Sequence, residues 1–255
     1  MKIFFHHICG RMSDMSLIYC NALAEVEKSE EGYALDNGWA VDEWGEQTPR
    51  VWFQARQTRL RVAEFKNNKK IRKILNRCPN ITQKVRRLNE VDNIDEFQKI
   101  YNAYISYRGF KEDLGALSIE NEIDKDKKIV FEYYDKEILR AFSIARLYDE
   151  TQSMTGTSFC WDYHEPKLYL GKYTIIKELE YARDNDLEYF YQMPGYEKTC
   201  IYKMDLPGFE FWDGKRWSKD KGTYKSMCEK DDEVKSPKDM NELMWSYEKG
   251  YFKTH

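Results

Sequence analysis

The sequence predicts a mixed α/β fold: a mostly antiparallel sheet flanked by helices, with an N-terminal extension. Three observations carry that prediction. Ile138–Tyr148 and Ser153–Tyr163 are two apolar-rich stretches around a polar turn near Glu150, which reads as a pair of strands. After Gly171, the residues Ile175, Ile176, Leu179 and Ala182 recur at helical spacing as far as Asn185, and Leu187–Met193 then reads as a strand. Gly208–Asp213 is a last strand, closed by Asp213-Gly214, a strong hairpin signal.

Nearer the N-terminus, Met15–Val26 reads as a helix, and Gly32 and Asn37-Gly38 mark turns. His6, His7 and Cys9 are three candidate metal ligands within four residues, too close for all to face one ion from a strand or helix. A terminal strand with incidental histidines is expected there. Val51–Phe65 sets Arg56, Arg59 and Arg61 among Val51, Phe53, Leu60, Val62 and Phe65, the pattern of a strand with a basic outer face. Lys66–Arg77 follows as a short basic helix with an inner stripe of Ile71, Ile74 and Leu75. Asn93, with Glu96 three residues on, opens a stronger helix in a capping-box-like arrangement. Its stripe runs Ile94, Phe97, Ile100, Tyr101, Tyr104, Ile105 and Arg108. From Ser218 onward eight lysines balance eight acids, so a solvated tail is expected, with one helix near Met240–Tyr247.

The chain has 255 residues, enough to bury a sizeable core in one large domain or two modest ones. Aromatics make up 15% of it, with 19 Tyr and 7 Trp, yet the mean hydropathy is −0.80. That pairing predicts rings in grooves and at core edges beneath a charged surface. The net charge of −3 hides an asymmetry: Arg56–Arg87 holds 12 Lys/Arg against Glu64 alone, or +11, leaving −14 for the rest. A basic block on an otherwise acidic chain is the footprint of a polyanion partner, or more plainly a solvated helix face. The six cysteines form no Cys-x-x-Cys pair, which argues against a zinc ribbon or a thioredoxin-like redox site. The N-terminus lacks the apolar core of a signal peptide, and no run of 18 apolar residues would span a bilayer. A cytoplasmic protein with reduced thiols and no membrane partner is expected.

The element order resembles that of GNAT acyltransferases. The motifs resemble more narrowly the arginyl-tRNA–protein transferases and the related bacterial leucyltransferases. The family's Leu-Gly-x-Tyr before a helix is matched by Leu170-Gly171-Lys172-Tyr173, and its Tyr-rich strand by Tyr189-Phe190-Tyr191. Its Tyr-Lys pair, acid, Asp/Gly turn and Trp are matched by Tyr202-Lys203, Glu210, Asp213-Gly214 and Trp217. Its Tyr-x-x-Tyr-x-x-x-Arg helix is matched by Tyr101, Tyr104 and Arg108, and its Arg before a Phe and a basic helix by Arg59, Phe65, Arg72, Lys73 and Arg77. Two departures stand out. Trp52 and Ala55 replace a Cys-x-x-Cys, so any metal or iron–sulfur role of those cysteines should be absent. The glycine after the Tyr-rich strand arrives late, in Gln192-Met193-Pro194-Gly195-Tyr196.

The resemblance implies transfer of an amino acid, Arg or Leu, from aminoacyl-tRNA to a protein or peptide amine, typically an N-terminus. It implies no cofactor beyond that co-substrate and no metal. Residues 1–90 would face tRNA through Arg56, Arg59, Arg61, Lys69, Lys70, Arg72, Lys73 and Arg77; residues 91–217 would form the catalytic domain and 218–255 a charged tail. Lys203, Tyr202 and Glu210 would be catalytic, with Lys203 on the terminal phosphate or the oxyanion and Glu210 on the acceptor amine. Gly171, Tyr173, Tyr189, Tyr191, Tyr196 and Arg108 would bind substrate. Trp52 and Phe53 would either stack on 3′ bases or simply pack in their strand, and packing is the expectation for Phe53. An activated ester attacked by an amine of pKa about 7.7–8 needs positioning more than a strong base. This agrees with the lack of any Ser/His/Asp or Cys/His signature among only four histidines. The alternatives are a GNAT acetyltransferase using acyl-CoA, disfavoured by the single glycine in Glu165–Thr174, and a non-catalytic tRNA-binding relative.

Overall fold

A computed structural model of the chain describes residues 1–4, 8–12, 16–20, 22–41, 51–108, 125–163 and 168–233. It opens with β1 (Lys2–Phe4), β2 (Ile8–Met12), β3 (Ser16–Cys20), β4 (Ala22–Glu25), α1 (Glu31–Asp36), β5 (Trp39–Val41), β6 (Val51–Gln54) and β7 (Gln57–Arg61). Next come α2 (Lys69–Leu75), β8 (Ile81–Arg87), α3 (Ile94–Arg108), β9 (Lys128–Asp135), β10 (Ile138–Tyr148), β11 (Ser153–Trp161), α4 (Leu170–Asp184) and β12 (Tyr189–Pro194). A 3₁₀ helix (Lys198–Asp205) leads to β13 (Phe209–Trp212), β14 (Trp217–Ser218) and α5 (Lys221–Asp231). Two compact units result: Met1–Leu60 with Gln192–His255, and Arg61–Tyr191.

In the unit 61–191, β8, β9, β10 and β11 pair antiparallel in that order, while β12 joins β11 in parallel through Ser153↔Tyr189, Met154↔Phe190 and Thr155↔Tyr191. A parallel pair needs a long crossover, and α4 supplies it. A mixed, mostly antiparallel sheet flanked by helices is the arrangement expected from the sequence. Strand periodicity sorts the side chains between two helices. Val130, Phe142 and Ile144 pack with Phe97, Ile100 and Tyr101 of α3. Phe131 and Tyr133 meet Tyr181 and Tyr173 of α4 instead, at ring distances of 5.1 and 6.1 Å. At the start of α3 Asn93 Nδ2 donates to Glu96 at 3.1 Å, a bond between side chains, while Asn93 Oδ1 accepts from Arg86. Asn68 caps α2 through the amides of Lys70 and Ile71.

On the α4 side a carboxylate is sealed in this core. Glu178 accepts from Ser143 Oγ at 2.5 Å and from the Tyr133 hydroxyl at 3.4 Å, and burial pushes its pKa from 4.5 up to about 7. Between those values the native state holds more protons than the unfolded chain, so stability falls as pH rises from 4.5 to about 7. At about 1.4 kcal/mol per pKa unit the loss is about 3 kcal/mol. Glu178→Gln should flatten that slope in urea unfolding at successive pH values. A mutant curve parallel to wild type would place the titration elsewhere.

In the other unit, β1, β4, β6 and β5 form an antiparallel sheet, β2 and β3 a hairpin, and β7 pairs with β13, which pairs with β14. Met15–Val26 is not helical as expected: its described residues form β3 and β4. Ala22 and Ala24 are buried while Leu23 and Glu25 are half-buried, a period-two pattern fixed by pairing with Phe53 and Trp52. Val51–Phe65 is likewise two strands, broken at Ala55-Arg56. Asn37-Gly38 does turn the chain, with Gly38 at φ +74°, where an added Cβ would meet the Trp212 ring at 2.3 Å. Lys221–Asp231 is no solvated tail, since α5 buries Tyr224, Met227, Cys228 and Asp231. The helix expected near 240–247, and His6 and His7, lie outside the described residues.

Candidate functional site

In the unit formed by 1–60 and 192–255, the segment after the Tyr-rich strand is held from several sides. Lys203, on the 3₁₀ helix, is buried, and its Nζ donates to the carbonyls of Gln192 at 2.7 Å, Pro194 at 3.0 Å and Met193 at 3.2 Å. Thr58 Oγ1 lies at 3.5 Å from the same ammonium and itself donates to the Met193 carbonyl at 2.8 Å. Burial lowers the Lys203 pKa. Met193 sits at φ +60° and Glu197 at φ +62°, so the turn is strained and depends on these ties. Gly195 has no room for a side chain: a Cβ would meet the Tyr224 hydroxyl at 2.1 Å and Thr58 Cγ2 at 2.9 Å. The ammonium expected to hold a phosphate or oxyanion thus spends its protons on the backbone of the aberrant loop. Lys203→Met should cost about 1–3 kcal/mol by stripping buried carbonyls of their donor. Urea unfolding of the variant beside wild type checks this, and an unchanged midpoint would contradict it.

Arg56 and Arg59 are interior residues, not the outer face expected of them. Arg56 donates to both carboxylate oxygens of Asp231 at 2.6 and 3.1 Å, and its amide donates to the Tyr196 hydroxyl at 3.0 Å. Arg59 Nε donates to Glu210 at 2.7 Å, and its guanidinium lies 4.0 Å over the Trp217 ring. The carboxylate expected to hold the acceptor amine is therefore buried and tied to Arg59, with Lys219 Nζ at 3.8 Å. Trp52 is completely buried and offers no face to a base, whereas Phe53 is half-buried. Tyr202 is exposed beside Lys203, and Tyr196 is buried.

The unit 61–191 keeps the exposed cations. Lys69, Lys70, Arg72, Lys73 and Arg77 are all exposed on or just after α2, and Arg61 is half-exposed with its guanidinium 5.1 Å from the Tyr189 ring centre. Arg77 lies 4.0 Å over the ring of Tyr169, the residue before α4. Tyr169 has φ +55°, gives α4 no side-chain cap, and the first turn carries no acid. Gly171, in that turn, is half-buried beside Trp161, whose ring would lie 3.7 Å from an added Cβ. Amides of an uncapped helix start favour an anionic or carbonyl oxygen. Arg108 is half-buried and hydrogen-bonds Tyr163. Tyr173 is core: its hydroxyl donates to the Ile81 carbonyl at 3.1 Å and burial pushes its pKa to about 12. Tyr191 is also buried, and Tyr189 half-buried with its ring 6.1 Å away. An aromatic group absent from the sequence expectations, Phe159, Trp161, Tyr163 and Tyr107, lies here; its signal is the i, i+2 spacing of rings leaving β11.

Burial also raises the thiols of Cys78 and Cys228 to about 11 and that of Cys160 to about 12, so none of these three is a thiolate at neutral pH. Among the described residues no group of three or more His, Cys, Asp or Glu is placed to hold a metal ion. Nor, among them, is any helix long and apolar enough to cross a membrane.

Residues 82–205 match a family profile described as arginine-tRNA-protein transferase, C terminus. No curated protein gives a significant match. Among solved structures, the C-terminal domain of a putative lysylphosphatidylglycerol synthetase from Agrobacterium fabrum is similar at 14% identity and a TM-score of 0.48. The match covers 69% of this chain and 54% of that one. An L-PGS from Bacillus licheniformis is similar at 13% identity and a TM-score of 0.46, over 66% of this chain and 52% of that one. The chain thus spans about half the length of these structures, and overlaps so loose carry no argument about the reaction.

Proposed function

We propose, from the match of residues 82–205 to the arginine-tRNA-protein transferase profile, that this chain moves an amino acid, Arg or Leu, from aminoacyl-tRNA to an amine of a protein or peptide, typically its N-terminus. The observation that carries the reading is the exposed basic face of α2, which ends in Arg77 laid over the residue that opens α4. Phosphates of an acceptor arm would follow α2 by charge, and the 3′ ester would reach the uncapped first turn at Gly171. There the amine attacks the ester carbonyl, a C–N bond forms and the C–O bond breaks. The terminal ribose hydroxyl departs with the proton the amine gives up. Direct attack needs no acyl-enzyme, which agrees with the raised thiols of Cys78, Cys160 and Cys228.

Lys203 enters this reading as a positioning residue that fixes the 192–194 carbonyls, with Glu210 holding Arg59 in place. The test is transfer of labelled Arg or Leu from charged tRNA to matched peptides with free and acetylated N-termini. Label confined to the free amine is expected. Label on neither peptide from either tRNA would sink the proposal.

A further inference from the structure

In the unit 61–191 five rings gather where α3 ends and β11 leaves the sheet. Trp161 lies 4.7 Å from each of Tyr104, Phe159 and Tyr163, centre to centre. Tyr107 is stacked on Tyr163 at 3.4 Å with only 16° between the ring planes, yet is 63% exposed. The other four are only half-buried. Rings that close a core are covered, as Phe97 of α3 and Phe142 of β10 are. This group instead leaves Tyr107 open to water and the other rings partly so, an aromatic edge that favours a stacking partner.

The surroundings point to an anion-bearing occupant. Arg108 hydrogen-bonds Tyr163 from within the cluster. Trp161 borders Gly171 in the first turn of α4, and one step further Arg77 lies over Tyr169 at the end of the exposed α2 cations. The acid in the cluster's own strand end, Asp162, is tied to Arg140 at 2.7 Å. A run of positive charge thus leads to stackable rings, the pairing by which proteins hold unpaired nucleotides.

Building on the aminoacyl-tRNA reading above, we propose that Tyr107, Tyr163 and Trp161 form a platform on which the unpaired 3′-terminal bases of the donor RNA stack. Arg77 and the α2 cations hold the adjoining phosphates. The stacking role expected of Trp52 passes to these rings. Because every base has a π face, the platform should be indifferent to sequence but should require single-stranded ends.

The test measures binding of two uncharged RNA hairpins, one with an unpaired 3′ tail and one blunt, by fluorescence anisotropy. Wild type should prefer the tailed hairpin about tenfold, the worth of a stacked base. Tyr107→Ala should erase most of that preference with the melting temperature unchanged, since the side chain is exposed, and Tyr107→Trp should retain it. Lys73→Ala should weaken both hairpins alike. Equal binding of the two hairpins by wild type, or an unchanged preference in Tyr107→Ala, would overturn the platform and leave the aminoacyl-tRNA reading standing. Binding of neither hairpin would remove that reading, and the platform with it.

Discussion

Replacing Asp231 by Ala is expected to cost about 3–5 kcal/mol, the penalty for leaving a buried cation without its partner. The Asp231 side chain is fully buried and that of Arg56 is 2% exposed, so neither water nor salt can stand in. The same carboxylate accepts the amide of Glu197 at 3.0 Å, at one of the two strained non-glycine positions of this loop. The loss therefore reaches the loop as well as the ion pair. Urea unfolding of Asp231→Ala, Arg56→Ala and the double mutant would show it. The double mutant should cost much less than the two single mutants summed. A loss under about 1 kcal/mol in Asp231→Ala would contradict a buried, dry pair.

Neutralising Lys69, Lys70, Arg72 and Lys73 together should weaken tRNA binding on the order of a hundredfold at low salt without lowering stability. These side chains are exposed, and alanine is the stronger helix former. The salt dependence should also flatten, by about 0.9 in the log–log slope for each phosphate that α2 no longer neutralises. Binding measured across a salt series checks both. An unchanged slope would mean that α2 is merely a solvated face.

What can be read in advance follows from where the physics is local. The helices α3 and α4 announce themselves by apolar spacing and by their ends, Asn93 with Glu96 and Asn185. The turn at Asp213-Gly214 is written in two residues, with Gly214 at φ +98°. The strand β9 is hidden because Ile129, Phe131 and Tyr133 serve one helix and Val130 serves the other, so the run shows no alternation. β8 alternates only weakly among charges, which leaves a strand there without a clear pattern. The candidate site is harder. Arg56 and Arg59 look like surface residues until Asp231 and Glu210 are placed beside them, partners 175 and 151 positions away. Lys203 stands out by motif, but the carbonyls that claim its protons are invisible in a sequence. Cations on α2 are legible because an exposed charge needs no partner to be what it is.

The most direct measurement of the central claim is transfer of labelled amino acids from a charged total-tRNA pool to peptides differing at the N-terminal residue. Acetyl-CoA would be run as a parallel donor, and the α2-neutralised protein beside wild type. The account predicts label on a peptide amine from one aminoacyl-tRNA, sharply reduced in the neutralised protein and absent with acetyl-CoA. Acetyl transfer without any tRNA-dependent transfer would contradict it, leaving an acyltransferase fold whose basic helix serves another purpose.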